Sequence, residues 1–184
     1  METKKIVREA LLKQTERKYP FGCVMIYLDT DPKDWANLQK LVDEDDVYFG
    51  TEDNVGFGRE MEPHATILYG IEPFVPDEEV EALIKQITKP KIKLHTISAF
   101  KNLDFEVLKF DIASKALHVL NTLFRTLPHT LTYPEYHPHA TIAYLKKGKS
   151  VTYVEKMGKF VGINAIPSKV VYSKPDGTKK EYKL

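Results

Sequence analysis

Apolar residues run almost unbroken from Phe21 to Leu28, a length and composition that predict a buried central strand. Asp31-Pro32 then marks a helix start, an acidic cap with proline in the first turn, and Trp35, Leu38 and Leu41 form its buried stripe. Pro76-Asp77 opens a second helix with Val80, Leu83, Ile84 and Ile87 at helical spacing, closed by Pro90. The period then changes, predicting strands over about 91–100 and 105–112 joined as a hairpin at Asn102 to Asp104. Ser114 caps a helix carrying Leu117, Leu120, Leu123, Phe124 and Leu127, and Pro128 ends it. A further helix is expected from Ser150 to Phe160, and a terminal hairpin from Val170 to Leu184 turning at Pro175-Asp176-Gly177. Ahead of the first strand, Ile6, Ala10, Leu11 and Gln14 predict a short amphipathic helix to about Thr15, an extension covering about residues 1–18.

Between Asp43 and Glu62 the pattern breaks into acids and glycines. The run Asp43-Glu44-Asp45-Asp46 lacks the alternating ligand spacing of a calcium loop and reads as solvated chain. This loop is a candidate flap over a cleft, with Phe57 packing at its glycine-flanked tip. Hairpins mixed with helices point to an α+β fold with largely antiparallel sheets.

One short pattern occurs twice. Pro63-His64-Ala65-Thr66-Ile67 returns as Pro138-His139-Ala140-Thr141-Ile142, 75 residues on, and each copy continues with an apolar residue and a tyrosine. A pentapeptide repeated in so short a chain is an internal duplication. In a strand, alternate side chains share a face, so His64, Thr66 and Leu68 point one way and Ala65, Ile67 and Tyr69 the other, with the same parity in the second copy. Each motif thus offers an imidazole and a hydroxyl about 7 Å apart on one face, suited to gripping and protonating a phosphate. Tyr69 and Tyr144 are expected in the core.

At 184 residues the chain is long enough for one domain with a real core. A formal net charge of +1 argues against a broad basic surface for duplex DNA, while leaving room for a small anionic ligand. Cys23 is the only cysteine, which excludes intramolecular disulfides and thiolate zinc sites; it reads as a small buried apolar residue. No signal peptide or membrane span is evident, so a cytoplasmic location is expected. Of the other histidines, His95 stands beside Thr96 and faces the opposite way, while His118 on a helix and His129 in a loop read as structural. A zinc site from His137, His139 and His64 lacks a carboxylate or thiolate at ligand spacing and is not expected.

The two His-x-Thr motifs, half a domain apart, resemble those of the two-histidine (2H) phosphoesterase superfamily, the LigT-like enzymes, over most of the chain from Phe21 onward. Within it, the Phe21-Gly22-Cys23-Val24-Met25 strand and the block from Glu62 to Gly70 are most similar to small phage-encoded members, the anti-CBASS phosphodiesterases that degrade cyclic oligonucleotide messengers such as 3′,3′-cGAMP. The resemblance implies a single α+β domain over residues 1–184 with a duplicated two-lobed architecture. Mainly antiparallel sheets face a central cleft with helices outside, and the lobes carry the motifs at 63–69 and 138–144. It implies a monomeric phosphodiesterase that needs no metal or cofactor, with His64, Thr66, His139 and Thr141 as catalytic residues, acting on a cyclic di- or trinucleotide in the host cytoplasm as phage counter-defence.

The chemistry of the residues agrees with that. Cleaving a 3′–5′ phosphodiester through the 2′-hydroxyl requires a base and an acid, and imidazole supplies both near neutral pH. For base stacking, Tyr27, Tyr133, Tyr136, Tyr172 and Tyr182 are available; Tyr27 and Tyr182 are the chosen substrate-binding candidates. An RNA-processing enzyme acting on 2′,3′-cyclic ends or 2′–5′ linkages, as phosphodiesterase or ligase, would use the same four residues on short RNA. A non-catalytic cyclic-nucleotide sponge is the third reading, and binding alone does not call for two imidazoles.

Overall fold

The apolar run after Phe21 forms strand β1 (Gly22–Asp29), with Val24 and Ile26 fully buried. The computed structural model describes residues 18–50, 56–160 and 164–184, so the helix expected up to Thr15 lies outside the described residues. Asp31 caps α1 (Pro32–Lys40) by accepting the Lys33 N–H at 2.8 Å. There follow β2 (His64–Ile71), α2 (Asp77–Ile84), β3 (Ile92–Lys101), β4 (Phe105–Ile112), α3 (Lys115–Phe124), β5 (His139–Lys146), α4 (Ser150–Lys156), β6 (Asn164–Ser173) and β7 (Lys179–Lys183). Ser114 caps α3 as anticipated, through the Leu117 N–H. Helix α4 is shorter than predicted, giving way to a 3₁₀ turn over Gly158–Phe160. Strand β6 begins well before Val170, because Ala165 pairs with Ile92 of β3 and Ile166 with Asp29 of β1.

All strand pairings are antiparallel, in the order β1-β2-β5-β4-β3-β6-β7, and β6 also pairs with β1. The strands therefore make a circuit, an α+β fold in which Trp35, Leu38, Val80, Ile84, Leu117 and Phe124 of the helices pack onto one sheet face. The His-x-Thr strands β2 and β5 meet at a single pair, Ala65 with Ala140, and diverge from there.

Both motif strands carry the same irregularity at the same place. Leu68 pairs with Val24 and Thr66 with Met25, leaving Ile67 as an extra residue; Ala143 pairs with Leu108 and Thr141 with Lys109, leaving Ile142 extra. These are β-bulges, which leave a backbone group in need of a partner and reverse the facing of everything downstream. The Ile67 carbonyl accepts the Asn121 side-chain amide of α3 at 2.7 Å, and the Ile142 carbonyl accepts that of Gln39 in α1 at 2.8 Å. Each half's helix thus serves the other half's bulge, and both amides are buried. Replacing Asn121 with leucine should lower unfolding free energy by about 1–3 kcal/mol, the cost of an unsatisfied buried carbonyl, measured by chemical denaturation; Gln39→Leu should cost less, because the Ile142 carbonyl keeps the Glu60 N–H at 3.0 Å.

The bulge corrects one expectation. Leu68, counted on the motif face, is buried in the core, whereas Tyr69 is exposed and packs edge-on to Phe21 at 5.9 Å. Tyr144 is half-buried among aromatic rings, edge-on to Phe57 at 5.0 Å and Phe105 at 5.8 Å, so Phe57 packs as predicted. The stretch expected as a flap is instead tied down in its described parts. Tyr48 donates to Tyr144, Tyr144 to Gly58 and Glu60 to Ile142 along the edge of β5. Those bonds satisfy an edge that β2 leaves as it diverges. Pro128 to Thr130 do the same for β2, and at Gly70 (φ 108°) any side chain would strike the Thr130 carbonyl.

Candidate active site

Antiparallel register fixes the neighbours of the two motifs. With Ala65 opposite Ala140, the residues on either side, His64 and Thr66 on β2 and His139 and Thr141 on β5, project to the same face, and His64 is near enough to act electrostatically on His139. The two imidazoles and two hydroxyls, distant in the chain, form one cluster beside the point where β2 and β5 part.

Both rings are held in the same way. In each motif, Pro63 or Pro138 precedes the histidine, and the ring Nδ1 meets the carbonyl two residues back: Glu62 at 3.0 Å for His64, His137 at 2.7 Å for His139. A carbonyl only accepts, so Nδ1 carries a proton and Nε2 is the nitrogen left to take or give one. The settings differ beyond that. His64 stacks on Tyr27 (5.3 Å, 25°), with the Glu60 carboxylate 3.9 Å from Nδ1. His139 is edge-on to Phe100 at 5.0 Å, across from Asp111 in register. Burial holds the His139 imidazole below its ordinary value; the bond to the His137 carbonyl opposes this, while Lys109 and His64 reinforce it.

Tyr27 is buried between its cross-strand neighbours, His64 on β2 and Lys169 on β6, with the ammonium 4.8 Å from the ring centre. It braces His64 and has no open face for a base. Tyr182 does not join the site. It pairs with Val170, which is fully buried, so it sits on the helix-covered face, and Glu181 takes the motif side. Tyr136 donates its hydroxyl to the Thr66 carbonyl at 2.8 Å, fixing the backbone of the first motif, and Tyr172 is buried. Burial pushes the Cys23 thiol up to about 12 against a hydrogen bond with Thr66, so it stays neutral. His137 turns to Glu135 at 3.3 Å, and His118 packs edge-on to Tyr136.

Sequence reading missed Lys109, Asp111, Ser98 and Phe100. Lys109 is 3% exposed, donates to Ser98 at 2.7 Å and to Asp111, and lies 4.2 Å from the Phe100 ring centre. Asp111 also accepts the hydroxyls of Thr96 and Ser98 at 3.0 and 2.8 Å. A lysine at an otherwise apolar position of Val107-Leu108-Lys109-Phe110 was the available signal. On the same side of the sheet, an open groove of about 570 Å³ is lined by Lys89, Lys91, Lys93, Ala113 and Ile166 among others. Ala113 follows Asp111 by two residues, and Ile166 pairs with Asp29, two beyond Tyr27, while none of the residues lining the groove belongs to either motif.

The fold is that of Usb1. A structure of Kluyveromyces marxianus Usb1 matches 90% of this chain and 99% of its own, at 10% identity and a TM-score of 0.55. Its structure with uridine monophosphate matches 90% and 98%, at 8% identity and a TM-score of 0.56. At such identities the likeness is one of fold. No family model and no curated protein sequence matches the chain.

Proposed function

We propose that this protein is a phosphodiesterase of the two-histidine type, cleaving 3′–5′ linkages of RNA or nucleotides without a metal ion. The observation that carries this is the junction at Ala65 and Ala140, which sets both His-x-Thr pairs on one face with both Nε2 atoms unengaged by the backbone. A neutral imidazole takes the proton of the 2′-hydroxyl, whose oxygen attacks phosphorus. The 5′-oxygen departs with a proton from the second, protonated imidazole. Thr66 and Thr141 donate to the nonbridging oxygens, where charge builds. The product is a 2′,3′-cyclic phosphate and a free 5′-hydroxyl; water can then open the cyclic ester with the two rings exchanging roles.

A linear RNA end is favoured as substrate. The groove lined by Lys89, Lys91 and Lys93 offers cations for further phosphates of a longer chain. The Usb1 fold, one of whose structures holds uridine monophosphate, supports the same class. Cyclic oligonucleotides, cleaved in phage defence against CBASS, are the second reading, resting on the block from Glu62 to Gly70.

Incubation in EDTA with uridylyl-uridine, a uridine hexanucleotide, 3′,3′-cGAMP, 2′–5′-linked oligoadenylate and 2′,3′-cyclic AMP, resolved by mass spectrometry, tests both. Cleavage of the hexanucleotide to cyclic-phosphate or phosphate ends is the expected result. Turnover of cGAMP alone selects the second reading. Intact substrates throughout, with or without added divalent ions, overturn the assignment.

A further inference from the structure

The duplication aligns β1 with β4 as well as β2 with β5. Thr66 faces Met25 where Thr141 faces Lys109, and His64 faces Tyr27 where His139 faces Asp111. The first motif is therefore flanked by a thioether and a phenol, the second by an ion pair between a buried lysine and a partly exposed aspartate. We infer that Lys109, standing where the other half has Met25, makes the two histidines unequal, fixing His139 as the base and leaving His64 as the acid. This rests on the phosphodiesterase reading above.

The geometry supports a positioning role acting through His139. Lys109 is held by Ser98, Asp111 and the face of Phe100, and Phe100 packs against His139, so its ammonium is fixed near that ring. Burial of so small a cation makes its field felt over distances at which a solvated lysine is screened. The charged and titratable groups around His139 are Lys109 and Asp111 from β4, His64 from β2 and His137 from the preceding loop; from β3 comes uncharged Phe100. Burial, Lys109 and His64 all oppose protonation of His139, and the carboxylate of Asp111, which favours it, is already engaged by Lys109, Ser98 and Thr96. On the other side, the Glu60 carboxylate stands 3.9 Å from His64 Nδ1. A neutral ring at His139 and a protonated one at His64 are the starting states that acid–base cleavage requires.

Two measurements test this. NMR titration of the His139 ring in the wild type, Lys109→Met and Lys109→Arg reads the proposed effect without reference to turnover. Lys109→Met should move its midpoint up by about 0.5 pH or more, while Lys109→Arg leaves it in place. The methionine already has a precedent at Met25; should the variant not fold, Lys109→Gln keeps the bonds to Ser98 and Asp111 and is read the same way. An unmoved midpoint in the neutral variant overturns the inference whether or not the protein cleaves RNA. The role assignment is read on a uridine 3′-(nitrophenyl phosphate), whose leaving group needs no acid. His64→Ala should lose at least tenfold less on this ester than on uridylyl-uridine, and His139→Ala equally on both; the reverse pattern refutes it.

Discussion

His64→Ala and His139→Ala should each lower turnover by about two to four orders of magnitude, the usual contribution of a positioned acid or base, with little loss of stability. Neither ring holds the fold together. Each ring donates Nδ1–H to a nearby carbonyl and packs on one aromatic ring, while the backbone pairings of His64 with Tyr27 and His139 with Asp111 survive truncation to alanine. Steady-state rates on the substrate identified by mass spectrometry, with thermal melts on the same samples, check this. Wild-type turnover in either variant removes that histidine from the chemistry.

The second large effect concerns the hydroxyls. Thr66→Val and Thr141→Val keep the β-branched shape that suits a strand but remove the donor that the proposed mechanism assigns to the nonbridging oxygens, so kcat should fall about a hundredfold. KM should change far less, because the contact strengthens as charge develops. Serine at either position should restore most of the rate. Thr141 is buried opposite Lys109, whereas Thr66 is half-buried beside Cys23, so both variants are needed to show that the two halves contribute alike. Undiminished kcat in both valine variants would mean that the hydroxyls serve the strands alone.

Much of this arrangement was legible in the chain. The repeated pentapeptide exposed the duplication, and period-two parity placed each histidine with its threonine, because the strands are regular up to that point. Parity then failed at Ile67 and Ile142. A bulge leaves no mark in hydropathy, so Tyr69 was expected inside and is exposed. Its trace lay elsewhere, in Gln39 and Asn121, polar residues on the apolar stripes of α1 and α3 whose amides serve the bulge carbonyls. Residue type and a place on the terminal hairpin favour Tyr182, whereas its register with Val170 puts it on the core face. Lys109 could be seen as a charge within a buried strand. What it neighbours depends on the pairing of β4 with β5 and β3, a long-range contact that no local pattern encodes.

The central claim is that two distant imidazoles serve a single phosphorus. A cycle of His64→Ala, His139→Ala and the double variant on one cleaved substrate addresses it most directly. Residues acting as a unit are strongly non-additive, so the double variant should fall within about tenfold of the slower single one. Two independent sites would instead leave each single variant with a large share of wild-type turnover and only the double variant inactive, and that result would contradict the account.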